Sequence, residues 1–101
     1  MNYIAYLHKD QKSDYGVSFP DLPGCVTSGR TLDEARSNAT EALALHLQNM
    51  AEDNETIPEP STIYDIAVAD DPAMKDAVAF LFVSGDIETK VRHRSARRKR
   101  L

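Results

Sequence analysis

Residues 15–34, Tyr-Gly-Val-Ser-Phe-Pro-Asp-Leu-Pro-Gly-Cys-Val-Thr-Ser-Gly-Arg-Thr-Leu-Asp-Glu, decide the fold. Tyr15, Val17 and Phe19 alternate with small or polar residues, the period of a half-buried strand. Pro20-Asp21-Leu22-Pro23-Gly24 then stops it: proline withholds a ladder donor and glycine accepts positive φ, so a shaped loop follows. Cys25–Ser28 reads as a short strand that Gly29 ends. Thr31 and Glu34 have capping-box spacing, with the Thr31 hydroxyl accepting from the Glu34 N–H and the Glu34 carboxylate reaching back. Asp33 and Glu34 also suit the positive end of the helix dipole. The helix runs to about Glu52, with Leu32, Ala35, Ala39, Leu43, His46, Leu47 and Met50 on one stripe. Leu45 falls outside that stripe and is open to a subunit contact.

The reading extends outward from this core. Residues 2–8 alternate as a first strand, Tyr3, Ala5 and Leu7 against Ile4, Tyr6 and His8, and residues 9–14 form a polar turn. Three short strands with short connections predict an antiparallel meander. Residues 53–60 form a proline-stiffened linker, and Ser61 is expected to cap a short helical turn through Ile66. Asp70-Asp71-Pro72 breaks the chain again. The apolar run 77–83 predicts a buried fourth strand, and residues 87–91 extend the sheet or begin a linker. The fold class is α+β: a three-stranded antiparallel meander, one long amphipathic helix packed on the sheet, a short helical turn and a fourth strand.

At 101 residues the chain suits one domain, and 42% apolar with 28% charged residues fits an ordinary globular composition. No apolar run approaches the roughly 20 residues of a membrane span, and the first residues lack a signal-peptide layout. With one cysteine, Cys25, there is neither an internal disulfide nor a cysteine-rich zinc site, and the cytoplasm is the expected location. The net charge of −4 conceals a split. Residues 1–89 hold all 16 acidic residues and five cations, net −11, while residues 90–101 hold seven cations and no acid. Such asymmetry points to interaction.

Few residues carry chemistry. Cys25, His8, His46 and His93 fall on separate elements without ligand spacing, so no metal or cofactor is expected. Cysteine–histidine catalysis would need Cys25 beside His8 or His46, and a small buried cysteine is the commoner case. Asp10, Asp21 and Asp86 lie near strand ends, but nothing in their spacing makes them converge as a two-metal nuclease requires. No enzymatic activity is therefore expected. The basic end is the strong electrostatic signal: Arg92, Arg94, Arg97, Arg98, Lys99 and Arg100 suit phosphate contact by counterion release, without an aromatic residue for base stacking.

Tyr15-Gly16-Val17-Ser18-Phe19-Pro20-Asp21-Leu22-Pro23-Gly24-Cys25, with Thr27, Gly29, Thr31-x-x-Glu34-Ala35 and Asn38-Ala39-x-Glu41-Ala42-Leu43, resembles the HicB antitoxins of bacterial type II toxin–antitoxin pairs. Residues 53–61 resemble the linker that follows the helix in that family, and the likeness covers about residues 2–91. The resemblance implies a degraded ribonuclease H-like fold and a partner, HicA, a small basic ribonuclease whose active site such proteins mask or distort. It implies homodimers or higher homo-oligomers, and a C-terminal DNA-binding domain where this chain has only its basic residues. The expected organisation is a toxin-binding domain over 1–91 and a basic tail over 92–101, with DNA or RNA contact through the tail as the alternative role. Neither a membrane nor a small-molecule substrate is expected. An acidic body suits a basic toxin. Asp33, Glu34, Glu41, Glu52 and Asp53 are the charges expected to face it.

Overall fold

The computed structural model describes residues 1–85. Four strands form one antiparallel sheet: β1 (Asn2–His8), β2 (Tyr15–Ser18), β3 (Val26–Gly29) and β4 (Ala79–Ser84), in the order β3-β2-β1-β4. Between β3 and β4 lie α1 (Leu32–Glu52), α2 (Ile63–Ala69) and the short α3 (Pro72–Lys75). The meander, the long helix and the fourth strand stand where the hydrophobic pattern put them. The register follows from the pleat. Tyr6 faces Ser18 in β2 and Phe80 in β4, and Leu7 faces Val17 and Ala79, so these two β1 side chains meet a neighbour on the same face of both flanking strands.

Each face of the sheet has its own core. Tyr3, Ala5, Leu7, Val17 and Val83 point toward α1 and pack on Ala35, Ala39, Leu43 and Leu47, with Phe19, Leu22 and Cys25 from the loop. The alanines let the helix lie close to the strands. Gly29 marks a close approach, since a Cβ there would stand 2.4 Å from the Ala35 backbone nitrogen. On the other face Ile4 and Tyr6 are covered by Ile66 of α2, with Ala73, Met74 and Ala77 around them. Leu45 is exposed, as its position outside the stripe predicts, but Leu32, at the first turn of α1, is exposed as well.

The loop between β2 and β3 is held by its own backbone. Phe19 N–H donates to Cys25 O, Leu22 N–H to Phe19 O and Cys25 N–H to Leu22 O. Leu22 is thereby driven into the core at 1% exposure. Gly24 takes φ +88°, a conformation that side chains resist, which explains a glycine there.

Several local expectations are corrected. Thr31 accepts from Glu34 N–H at 3.0 Å, but the Glu34 carboxylate accepts from the backbone of Arg30 rather than of Thr31. Ser61 does not cap α2. Thr62 does, in a reciprocal box with Asp65, while Ser61 turns back to Asp21. After Asp70 in the left-handed conformation, Asp71 caps α3, which begins at Pro72, the favoured first helical position. The break read at 70–72 thus also starts a helix. The fourth strand is not buried: it is an edge strand whose Phe82 is 70% exposed. Residues 87–91 and the basic stretch 92–101 lie outside the described residues.

Candidate functional site

The five carboxylates singled out in the sequence are spread along α1. Asp33 and Glu34 sit in its first turn; Glu52 ends it and Asp53 caps it. A helix of 21 residues separates the two pairs by about 30 Å, with Glu41 exposed between them. They form a line along one element rather than a cluster. Glu34 is engaged by the Arg30 N–H at 2.7 Å, and Glu52 accepts from Gln48 at 3.2 Å. Glu55 and Glu59 continue the acidic edge into the linker, both exposed. Over the described residues five cations face fourteen carboxylates, leaving −9.

Asp21 is a structural carboxylate. It accepts from Ser61 N–H at 2.7 Å and from Ser61 Oγ at 2.6 Å, fastening the β2–β3 loop to the segment entering α2. Beside it the buried Tyr3 hydroxyl donates to Pro58 O at 2.6 Å. Burial, then the Asp21 and Glu59 charges, hold that phenol above its ordinary range. Asp10 is likewise occupied, accepting from the Lys12 N–H, which lowers its carboxyl. Asp86 lies outside the described residues. Among the described residues no group of three or more His, Cys, Asp or Glu converges as a metal site.

Cys25 is buried with its sulfur 3.8 Å from Ala42 O, and burial pushes the thiol up. That shift opposes the thiolate a nucleophile needs. His46 shares a shallow groove with it, although the thiol is directed at the helix carbonyl. A contact that the sequence did not announce joins three elements. His8 Nε2 lies 3.0 Å from Ser18 Oγ, and its Nδ1 lies 3.5 Å from Asp76 at the end of α3. The order serine–histidine–aspartate matches a hydrolytic triad, but Ser18 sits mid-sheet, paired with Tyr6 on one side and Val26 on the other. Among the described residues His8 Nδ1 is buried without a hydrogen-bond partner and the Asp76 side chain is mostly exposed, so the three groups are near one another but not linked as a triad.

The surface features that suit a partner are the acidic line of α1 and the outer side of β4. Alongside β4 runs a groove of about 500 Å³ lined by Asp33, Arg36, Ser37 and Thr40 and by Leu81–Ser84. Phe80, Phe82 and Val78 are exposed on or beside this strand, and Ile63, Tyr64 and Val68 on α2.

A family model described as the HicB-like antitoxin of bacterial toxin–antitoxin systems matches residues 3–99. The chain belongs to that family. Antitoxin HicB of Escherichia coli K12 is 40% identical over 63 residues, 62% of this chain and 46% of that protein. An uncharacterized 14.9 kDa protein of Haemophilus phage HP1 is 49% identical over 49 residues, 48% of this chain and 37% of its own. The matched stretch thus spans less than half the length of these curated relatives. The crystal structure of the Burkholderia pseudomallei antitoxin HicB superimposes with a TM-score of 0.72 at 32% identity, covering 87% of this chain and 65% of that one. A chain of the HicA3 and HicB3 toxin–antitoxin complex gives 0.66 at 28% identity, covering 85% of this chain and 99% of that one. The fold of this HicB-like chain is therefore that of known HicB antitoxins. Among the described residues no helix is long and apolar enough to cross a membrane.

Proposed function

We propose that this HicB-like chain neutralises a HicA-like, RNA-cleaving toxin in the cytoplasm by direct stoichiometric contact, without catalysis of its own. The observation that carries the reading is the acidic body: a charge of −9 over the described residues, on a fold shared with a chain of a HicA–HicB complex. A surface of one sign draws a basic partner into encounter and speeds association at low salt. Residues 1–91 form the toxin-binding unit and residues 92–101 a basic extension. Glu41, Glu52 and Asp53 are the helix carboxylates that approach the toxin. Glu34 serves the helix start and Asp33 faces the β4 groove.

The test is association kinetics with a small basic HicA-type ribonuclease, measured with the full chain. Glu41→Lys combined with Glu52→Lys is expected to lower the association rate by about tenfold at low salt, within the range by which steering accelerates encounter. The two proteins should converge at high salt, where the Debye length falls to about 3 Å. Equal rates at low salt overturn the steering surface, and failure to bind or inhibit the toxin overturns the antitoxin reading. Polyanion binding lost on removing residues 92–101, with no toxin bound by the intact chain, points instead to a nucleic-acid role for the seven cations of residues 90–101.

A further inference from the structure

One buried ring nitrogen has no partner, and it faces a carboxylate. His8 ends β1 on the sheet face that Ile4 and Tyr6 share, and it pairs with Gly16, which adds no side chain beside it. Its Nε2 lies 3.0 Å from Ser18 Oγ. Its Nδ1 makes no hydrogen bond among the described residues and is closed off from solvent. The atom that Nδ1 faces is Asp76 Oδ2, at 3.5 Å. Asp76 is placed there by α3. Its N–H donates back to Pro72 O and Met74 O, Met74 packs on the second core, and Val78 N–H donates to Leu7 O at 2.8 Å. The residue is thus carried between a helix packed on the sheet and a strand joined to β1. Neither neutral form of the imidazole suits this contact. With the proton on Nε2, the ring donates to Ser18 Oγ, and Nδ1 turns a lone pair on a carboxylate oxygen. With the proton on Nδ1, the N–H meets Asp76 at a distance too long for a hydrogen bond to a charged acceptor.

We infer that His8 Nδ1 and Asp76 Oδ2 are the two protein ligands of an open divalent-metal site, and that zinc is the ion it takes. Two ligand atoms 3.5 Å apart, each about 2.0–2.1 Å from a common ion, subtend about 113–122° at it, close to the tetrahedral geometry of zinc. Ser18 then plays the part that metal-binding imidazoles ordinarily require. An Nε2–H donated to its hydroxyl fixes the tautomer and aims the Nδ1 lone pair at the ion. The surroundings favour a cation. A groove of about 260 Å³ around the pair is lined by Asp10 and Asp14 as well. Lys9 also lines it, but its ammonium donates to Asp10 O and lies 5.4 Å from the Tyr15 ring centroid. Among the described residues no third His, Cys, Asp or Glu converges on the pair, so water completes the coordination and the ion is exchangeable. An imidazole ligand selects zinc over magnesium and calcium, which take oxygen. A bound ion joins α3 to β1 and so fastens Ala73 and Met74 over Ile4 and Tyr6. The site lies on the sheet face away from α1 and does not depend on the antitoxin reading.

Zinc chloride titrated into the full chain against a chromophoric chelator tests the site. The wild type is expected to take up one equivalent of zinc, which excess magnesium does not displace. Asp76→Asn should weaken uptake by more than about tenfold, the least that losing even a ligand's supporting partner costs. That side chain is 84% exposed, so the fold should survive the change, as circular dichroism will show. His8→Gln should abolish uptake, whereas His46→Gln and His93→Gln should keep it. Buried Cys25 does not compete. Nitrogen NMR of the histidine rings reads the geometry directly. Zinc should move the His8 Nδ1 resonance and leave Nε2 protonated, and the amides of α3 should exchange more slowly with zinc than with magnesium. Should His8→Gln fail to fold, Asp76→Asn and the ring resonances decide. A chain that takes up no zinc at millimolar free ion overturns the inference. So does uptake equal in wild type and Asp76→Asn, uptake lost in His46→Gln or His93→Gln, or a shift at His8 Nε2 in place of Nδ1.

Discussion

Replacing Asp21 with alanine should loosen one segment of the molecule before the rest. The carboxylate accepts two bonds from Ser61, at 2.7 and 2.6 Å. Bonds to a charged group contribute about 1.5–3 kcal/mol each. Both end on one residue and Asp21 is only half-buried, so the pair is worth about 2–3 kcal/mol rather than the full sum. The next residue, Thr62, caps α2, and α2 is held to the sheet chiefly by Ile66, whose burial contributes about 2 kcal/mol. Ordering each backbone residue costs about 1–2 kcal/mol, so one isoleucine cannot hold α2 and its approach without the anchor. Native-state hydrogen exchange is the assay. Amides of α2 should exchange about 30–150-fold faster in Asp21→Ala, the ratio that about 2–3 kcal/mol implies. The melting temperature should fall by roughly 8–24 °C, given about 4–8 °C per kcal/mol in a domain of this size. Asp21→Asn, which keeps one acceptor oxygen, should lose less. Exchange in α2 within a factor of about three of wild type, with melting unchanged, would refute the anchor.

Gly29→Ala should destabilise by about 3 kcal/mol, the upper range for overpacking, because its Cβ would meet the Ala35 backbone, and urea denaturation checks it. Alkaline pH should weaken the fold. Burial raises the Cys25 thiol above its ordinary 9.0 and the Tyr3 and Tyr6 phenols above 10.0, Asp71 adding to the shift at Tyr6. The unfolded chain then releases protons that the native state keeps, so stability is full below about pH 9 and declines as pH rises. The urea midpoint followed from pH 8 upward should show this, and Tyr6→Phe should flatten the slope; a midpoint independent of pH contradicts the assignment.

The fold was legible because its signals are local. The Thr31–Glu34 spacing starts α1 where the structure starts it, and the alternation in 2–8 and 15–19 delivers β1 and β2. Periodicity identified Ala35, Ala39, Leu43 and Leu47 as the buried stripe. It failed at Leu32, the first residue of α1, which is exposed although Ala35, three residues on, is fully buried. Ser61 and Thr62 are equally good caps by residue type. What separates them is Asp21, forty positions away, which takes Ser61 and leaves Thr62 to the helix. Short helices such as α3 announce themselves only through Asp71-Pro72, which reads equally well as a break.

The surfaces were less legible because they depend on which strand ends the sheet. Phe80, Leu81, Phe82 and Val83 form an unbroken apolar run, and such a run ordinarily means burial on both faces. Here the chain order puts β4 beside β1 at the margin, where α2 reaches Ile4 and Tyr6 but leaves Phe82 open. The apolar run thus marked the strand correctly, while the burial expected of it holds only in part: Val83 is buried and Phe82 is open. The same topology explains the carboxylates. Sequence counted them as one acidic body, and the helix sets them out along about 30 Å, one end beside an apolar edge and the other beside further acids. A partner that needs charge and a partner that needs a strand edge would thus address opposite ends of α1.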